Sequence, residues 1–171
     1  MKAATAVLGF SALLLPCIEA QAAPAQLYNK TISISYSVTA NAVAEDGTVS
    51  NRPRTVQRTL YVSSKGRIFS RSDRQVGRNS DSVERGPEST SGAFRFDGNR
   101  LIGVNTNFIS GAGQLIVSFD GGFQSCTASI VMGRENGKAF KFKGLNGQIF
   151  TATGVPTVST PSCSIREGNP F

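Results

Sequence analysis

From Leu27 to Thr39 the chain reads LYNKTISISYSVT, and its alternation restricts the fold more than any other stretch. Ile32, Ile34, Tyr36 and Val38 occupy every second position, with Thr31, Ser33, Ser35, Ser37 and Thr39 between them. A helix would scatter those apolar groups around its whole circumference, whereas a strand gathers them on one face. The stretch therefore predicts a strand with one buried side, and the rest of the chain repeats the theme. Beta-branched and aromatic residues come in short runs separated by turn residues. No run of helical period occurs beyond the first twenty or so positions.

Hairpins follow in order. Thr55 to Ser63 and Arg67 to Ser72 flank Ser64-Lys65-Gly66, with apolar side chains from Val56, Leu60, Val62, Ile68 and Phe69. Ala93 to Asn105 predicts a hairpin about Gly98-Asn99 that sets Phe96 opposite Leu101. Gln114 to Met132 predicts a third, with Gly121-Gly122 as a two-residue loop that supplies positive φ. That register sets Val117 opposite Cys126 and puts Cys126 on the core side with Ala128 and Ile130. Shorter strands are expected at residues 139–143 and 148–153, and a last one at 160–166 carrying Cys163. Residues 40–53 read as a loop with Asp46-Gly47 and Arg52-Pro53 as breakers. Asp73 to Ser91 contains only Val76 and Val83 as sizeable apolar residues, and predicts a long polar loop, 73–91. The fold class is all-β: an antiparallel sandwich or an up-and-down meander barrel.

The amino terminus has the plan of a secretory leader. Lys2 precedes an apolar run, Ala6 to Leu15, and Ala20-Gln21-Ala22 supplies small residues at a cleavage site. Residues 1–22 are read as the leader and 23–171 as a single β domain. The apolar run is shorter than the roughly 20 residues that a membrane span needs. Leu14-Leu15-Pro16-Cys17 loosely matches a lipidation motif, but Pro16 stands where a small residue belongs. Of the three cysteines, Cys17 leaves with the leader. The remaining pair, Cys126 and Cys163, predicts a disulfide in an oxidising compartment. Closing that loop of about 38 residues is worth about 4 kcal/mol on chain entropy. The expected location is the periplasm or the extracellular medium.

Chemistry is sparse. Histidine is absent, which excludes Ser-His-Asp and Cys-His nucleophile systems and every His-containing metal site. No nucleophile elbow, phosphate loop or calcium loop occurs. No catalytic residue, metal site or cofactor is expected. The carboxylates Asp46, Asp73, Asp97, Asp120 and Glu135 all fall at expected turns, where Asp beside Gly is ordinary turn chemistry. A pair of them acting on a glycosidic bond is the alternative.

Charge is the more informative property. Between Arg52 and Arg100 stand eleven basic and five acidic residues, +6 of the chain's net +7. Arg67, Arg71, Arg74 and Arg78 lie closest together and form the candidate anion-binding set, because a guanidinium fork suits carboxylate and phosphate oxygens. Outside the cytoplasm the anions on offer are lipid headgroups and acidic glycans. A solvated basic face that keeps the chain soluble and monomeric explains the same charge. Nucleic acid is disfavoured, since no Arg-aromatic pattern of a known module occurs.

The runs FDGGFQSCTASIVMGRENG, Phe119 to Gly137, and SCSIREGNPF, Ser162 to Phe171, resemble small exported bacterial all-β proteins of unassigned function. The resemblance implies export and a disulfide-bonded β body, and assigns no functional residue. Three readings follow: a non-enzymatic exported domain binding an anionic glycan or lipid headgroup, a carboxylate-based polysaccharide hydrolase, and a lipocalin-like carrier of a small ligand or an inhibitor. A Phe-lined cavity of a few hundred Å³ would favour the last.

Overall fold

The computed structural model describes residues 22–51, 53–90, 93–104, 113–132, 140–144, 147–152 and 156–171. The expected leader lies outside them except for Ala22, as do Glu135 and most of the segments joining the later strands. Among the described residues no helix is long and apolar enough to cross a membrane.

The alternating stretch forms β1 (Lys30–Thr39), the centre of the largest sheet. The next strand in chain order is β2 (Ala42–Ala44), followed by β3 (Val49–Ser50). The first hairpin becomes β4 (Arg54–Val62) and β5 (Ile68–Val76), and β4 lies antiparallel along β1. Beyond β5 comes β6 (Asn79–Arg85). A one-turn helix, α1 (Pro87–Thr90), then leads to β7 (Phe94–Asp97), β8 (Arg100–Val104), β9 (Gly113–Phe119) and β10 (Cys126–Met132). These four pair in sequence as a second sheet. A third, smaller sheet combines β2 and β3 with β11 (Phe140–Lys143) and β12 (Ile149–Ala152). The chain ends in β13 (Thr157–Val158) and β14 (Ser162–Glu167), which both pair with the far edge of β1. All strand pairs are antiparallel.

One core lies between the inner faces of the two larger sheets. Ile32, Ile34, Leu60 and Val62 from the first meet Phe94, Phe96, Leu101, Leu115, Val117 and Phe119 from the second. Tyr36, Val38 and Val56 extend the cluster and Leu27 closes one end. The disulfide joins the edges of the two sheets. Cys126 opens β10 opposite Phe119, Cys163 sits on β14 opposite Ile34, and their sulfurs are bonded with Cα atoms 5.7 Å apart.

Three sequence expectations change. The loop joining β9 to β10 is not the two-residue Gly121-Gly122 turn but the longer stretch Asp120–Ser125, so Cys126 faces Phe119 and Ala128 faces Val117. A tight turn would have put Phe123 on the outer face with Ser125 and Thr127. Instead Phe123 adopts φ 55° and folds its ring back onto Phe119, 5.4 Å between centroids. Asp120 holds this loop by accepting from the Gln124 and Ser125 amides. The register moves by two residues, which leaves the side chains of Cys126 to Ile130 on their expected faces.

Of the stretch 73–91, the described residues 73–90 are not a loop either. β5 runs on to Val76, a two-residue turn at Gly77-Arg78 reverses the chain, and β6 returns to Arg85. Backbone ladders do not require apolar side chains, and here cross-strand charge pairs replace them: Arg74 with Asp81, Arg71 with Glu84. In the stretch read as a loop at 40–53, β2 and β3 form a short hairpin around Asp46-Gly47, where Asp46 caps the Thr48 amide.

Candidate anion site

Strand β4 reads RTVQRTLYV. Its period of two puts residues 54, 56, 58, 60 and 62 on the face that β1 turns towards the core. Val56, Leu60 and Val62 suit that place; Arg54 and Arg58 are charged yet almost as deeply buried, 8% and 6% exposed. Arg58 lies between Ile34 of β1 and Ser72 of β5, and Arg54 lies opposite Val38. One step along the face, Val56 separates Tyr36 from Arg74. Arg85 of β6 stands opposite Ser70, which separates it from Leu60. The inner face thus changes character across the sheet, from Ile, Leu and Val near β14 to arginine towards β6.

Burial sets the electrostatics of this half. The Arg58 guanidinium hydrogen-bonds the Tyr36 phenol. Burial pushes the Tyr36 hydroxyl above its ordinary range, and the Arg58 charge and hydrogen bond pull it partly back. Burial likewise lowers Arg58, which Tyr36 opposes and the positive charges of Arg85 and Arg74 reinforce. Arg54 is lowered by burial and then by Arg74, with Asp81 acting the other way. Asp81 is itself held by Arg74, through Nε–Oδ1 at 2.8 Å and a second contact from Nη2 to Oδ2. Asp81, paired with Arg74, also acts on Arg54. Removing a guanidinium from water costs several kcal/mol unless an anion or good acceptors replace the solvent. Arg74 and Asp81 remain about a quarter to a third exposed, and Arg85 is exposed, so the cluster reaches solvent on the β6 side.

Of the expected set Arg67, Arg71, Arg74 and Arg78, the structure brings only Arg74 into this group. Arg71 is an odd number of residues away on the same strand, so it lies on the opposite face. There it contacts Asp73 at 3.2 Å and Glu84 at 3.7 Å, and its guanidinium sits over the Phe171 ring at 5.5 Å. Arg67 precedes β5 and pairs with Glu88 of α1. Arg78 occupies the exposed β5–β6 turn. Arg54, Arg58 and Arg85 were not singled out by sequence. For the first two a sequence indication existed: an arginine in phase with Val56, Leu60 and Val62.

The carboxylates are dispersed. Asp46 and Asp120 serve as turn acceptors, with pKa values lowered by those hydrogen bonds, and Asp73 lies in mid-strand beside Arg71. Among the described residues no group of acids is placed to hold a metal ion. Comparison of the chain with protein-family models, curated proteins and solved structures gives no match.

Proposed function

We propose that the chain is an exported, non-enzymatic binding domain that recognises anionic oxygen groups of an envelope glycan or lipid headgroup. The observation that supports this most is the pair Arg54 and Arg58 in the core-facing register of β4, flanked by Arg74 and Arg85. Guanidinium groups gathered on one sheet face, with Arg74 and Arg85 reaching solvent, suit the oxygens of an incoming anion. The outer arginines give no such support, because Arg67 and Arg71 already face carboxylates. An incoming anion would approach from the β6 side, take the place that Asp81 holds on Arg74, and share the field of Arg58 and Arg54. The disulfide accords with the export in this reading.

The test compares two arginine sets on one protein. Retention is measured on a sulfated glycan resin and on vesicles containing phosphatidylglycerol, with neutral resin and neutral vesicles as controls. Arg74→Ser with Arg85→Ser is expected to weaken retention at least roughly tenfold, since hydrogen bonds to charged groups carry about 1.5–3 kcal/mol each. Arg71→Ser with Arg78→Ser is expected to leave it nearly unchanged. Equal losses from both pairs would reduce the site to a diffuse basic surface, and no retention on either support would end the proposal.

A further inference from the structure

At the other end of β5 a cleft of about 340 Å³ lies between the β4–β5 turn, α1 and β7. Phe94 and Phe96, 7% and 4% exposed, are core residues of β7 whose rings form part of its wall, together with Ile68 and Ala23. Its polar lining is already matched inside the protein: Thr90 Oγ1 donates to the Ile68 carbonyl at 2.7 Å. Charge enters at the mouth, where Arg67 and Glu88 pair with side chains 52% and 77% exposed. A volume of a few hundred Å³, a mixed lining with apolar side chains on one wall, and one charged pair at the rim are features of a small-molecule site.

We propose that this cleft binds a small amphipathic monocarboxylate, an arylalkanoate or a short fatty acid. Its apolar end packs on Phe94 and Phe96, and its carboxylate takes the Arg67 fork in place of Glu88. Of the two rim charges Arg67 is the one a ligand would use. Guanidinium matches a carboxylate with two parallel hydrogen bonds, and the surrounding third of the chain carries an excess of six positive charges that favours anions. The Glu88 carboxylate already occupies this position as an internal stand-in. The site is independent of the inner-face arginines, since Arg67 pairs with α1 and takes no part in that cluster.

The experiment is a heteronuclear NMR titration of the disulfide-bonded protein with phenylpropionate and hexanoate, and with the corresponding alcohols. Shifts are expected at Ile68, Thr90, Phe94 and Phe96, with the alcohols binding more weakly than the acids. Arg67→Gln is expected to weaken acid binding roughly fivefold, and Glu88→Gln to tighten it by up to the same factor, the upper range for one exposed ion pair. Both residues are exposed, so neither change threatens the fold. Absence of shifts at millimolar acid, shifts centred elsewhere, or equal affinity for acid and alcohol would overturn the assignment. So would an Arg67→Gln protein that binds as before.

Discussion

The two flanks of the large sheet use the same inner-face register for opposite purposes. Towards β14 the inward positions are Ile32 and Ile34, packed with Val117 and Phe119 of the second sheet, and a disulfide holds the sheet edges together. Towards β5 and β6 the inward positions of the same alternation are Arg54, Arg58 and Arg74. The first flank gains free energy from each buried group, about 1.5–3 kcal/mol per large apolar side chain. The second gives some of it up by holding guanidinium groups out of water. A fold that tolerates both within one strand, β4, shows that the backbone pattern decides where a side chain points and leaves its chemistry open.

The largest expected effect sharpens the stapled side. Replacing Cys126 and Cys163 together by Ala releases a loop with a sequence separation of 37. It should destabilise the domain by about 4 kcal/mol and lower its Tm by roughly 10 °C, read from denaturant and thermal unfolding. Anion retention at temperatures where the variant is folded should stay the same, because neither cysteine is part of the arginine cluster. A loss of retention in the folded variant would break the division between a structural flank and a binding flank.

A smaller effect, opposite in kind, is expected on the other flank. Tyr36→Phe with Arg58→Leu removes both partners of a buried hydrogen bond and replaces a buried cation by an apolar group. Such exchanges are neutral or stabilising by about 1–4 kcal/mol in other proteins. Here stability is expected to hold or rise by about 1 kcal/mol while anion retention falls roughly tenfold. A drop of about 3 kcal/mol would instead make the arginine a structural member of the core and remove its special standing.

The contrast between flanks also explains what could be read from sequence. β1, the β4–β5 hairpin, the β7–β8 turn and the Cys126–Cys163 bridge were legible because apolar alternation and cysteine parity report directly on burial. β6 was not, because its pairing rests on Arg74–Asp81 and Arg71–Glu84 and leaves no apolar period to detect. β2 and β3 are too short to show one. The arginine site was hidden by a different cause. Nearness along the chain suggested Arg67, Arg71, Arg74 and Arg78, but neighbouring positions on a strand face opposite ways. Arg58 joins Arg74 only through the β4–β5 register, and Arg85 joins them only through β6. The 340 Å³ cleft needed α1 beside β5, a contact that no sequence period announces.

The smallest expected effects separate the flanks by pH, with signs set by the two kinds of hydrogen bond. Amide donors from Ser125 and Gln124 lower the Asp120 carboxyl below its ordinary range. Its contribution is therefore present above the ordinary carboxylate value near 4 and fades as pH falls through the lowered folded value. Tyr36 behaves the opposite way. Burial raises its hydroxyl despite Arg58, so its contribution is complete below the ordinary tyrosine value near 10 and is lost as pH rises through the raised one. The β9–β10 loop should therefore open on the acid side, seen as faster exchange of the Gln124 and Ser125 amides after correction for intrinsic rates. Asp120→Ala should bring that opening to neutral pH. The arginine flank should weaken on the alkaline side, and Tyr36→Phe should flatten that limb of the stability profile without touching the acid one. If Tyr36→Phe flattened the acid limb, or Asp120→Ala the alkaline one, the two flanks would be coupled and the separation drawn between them would fail.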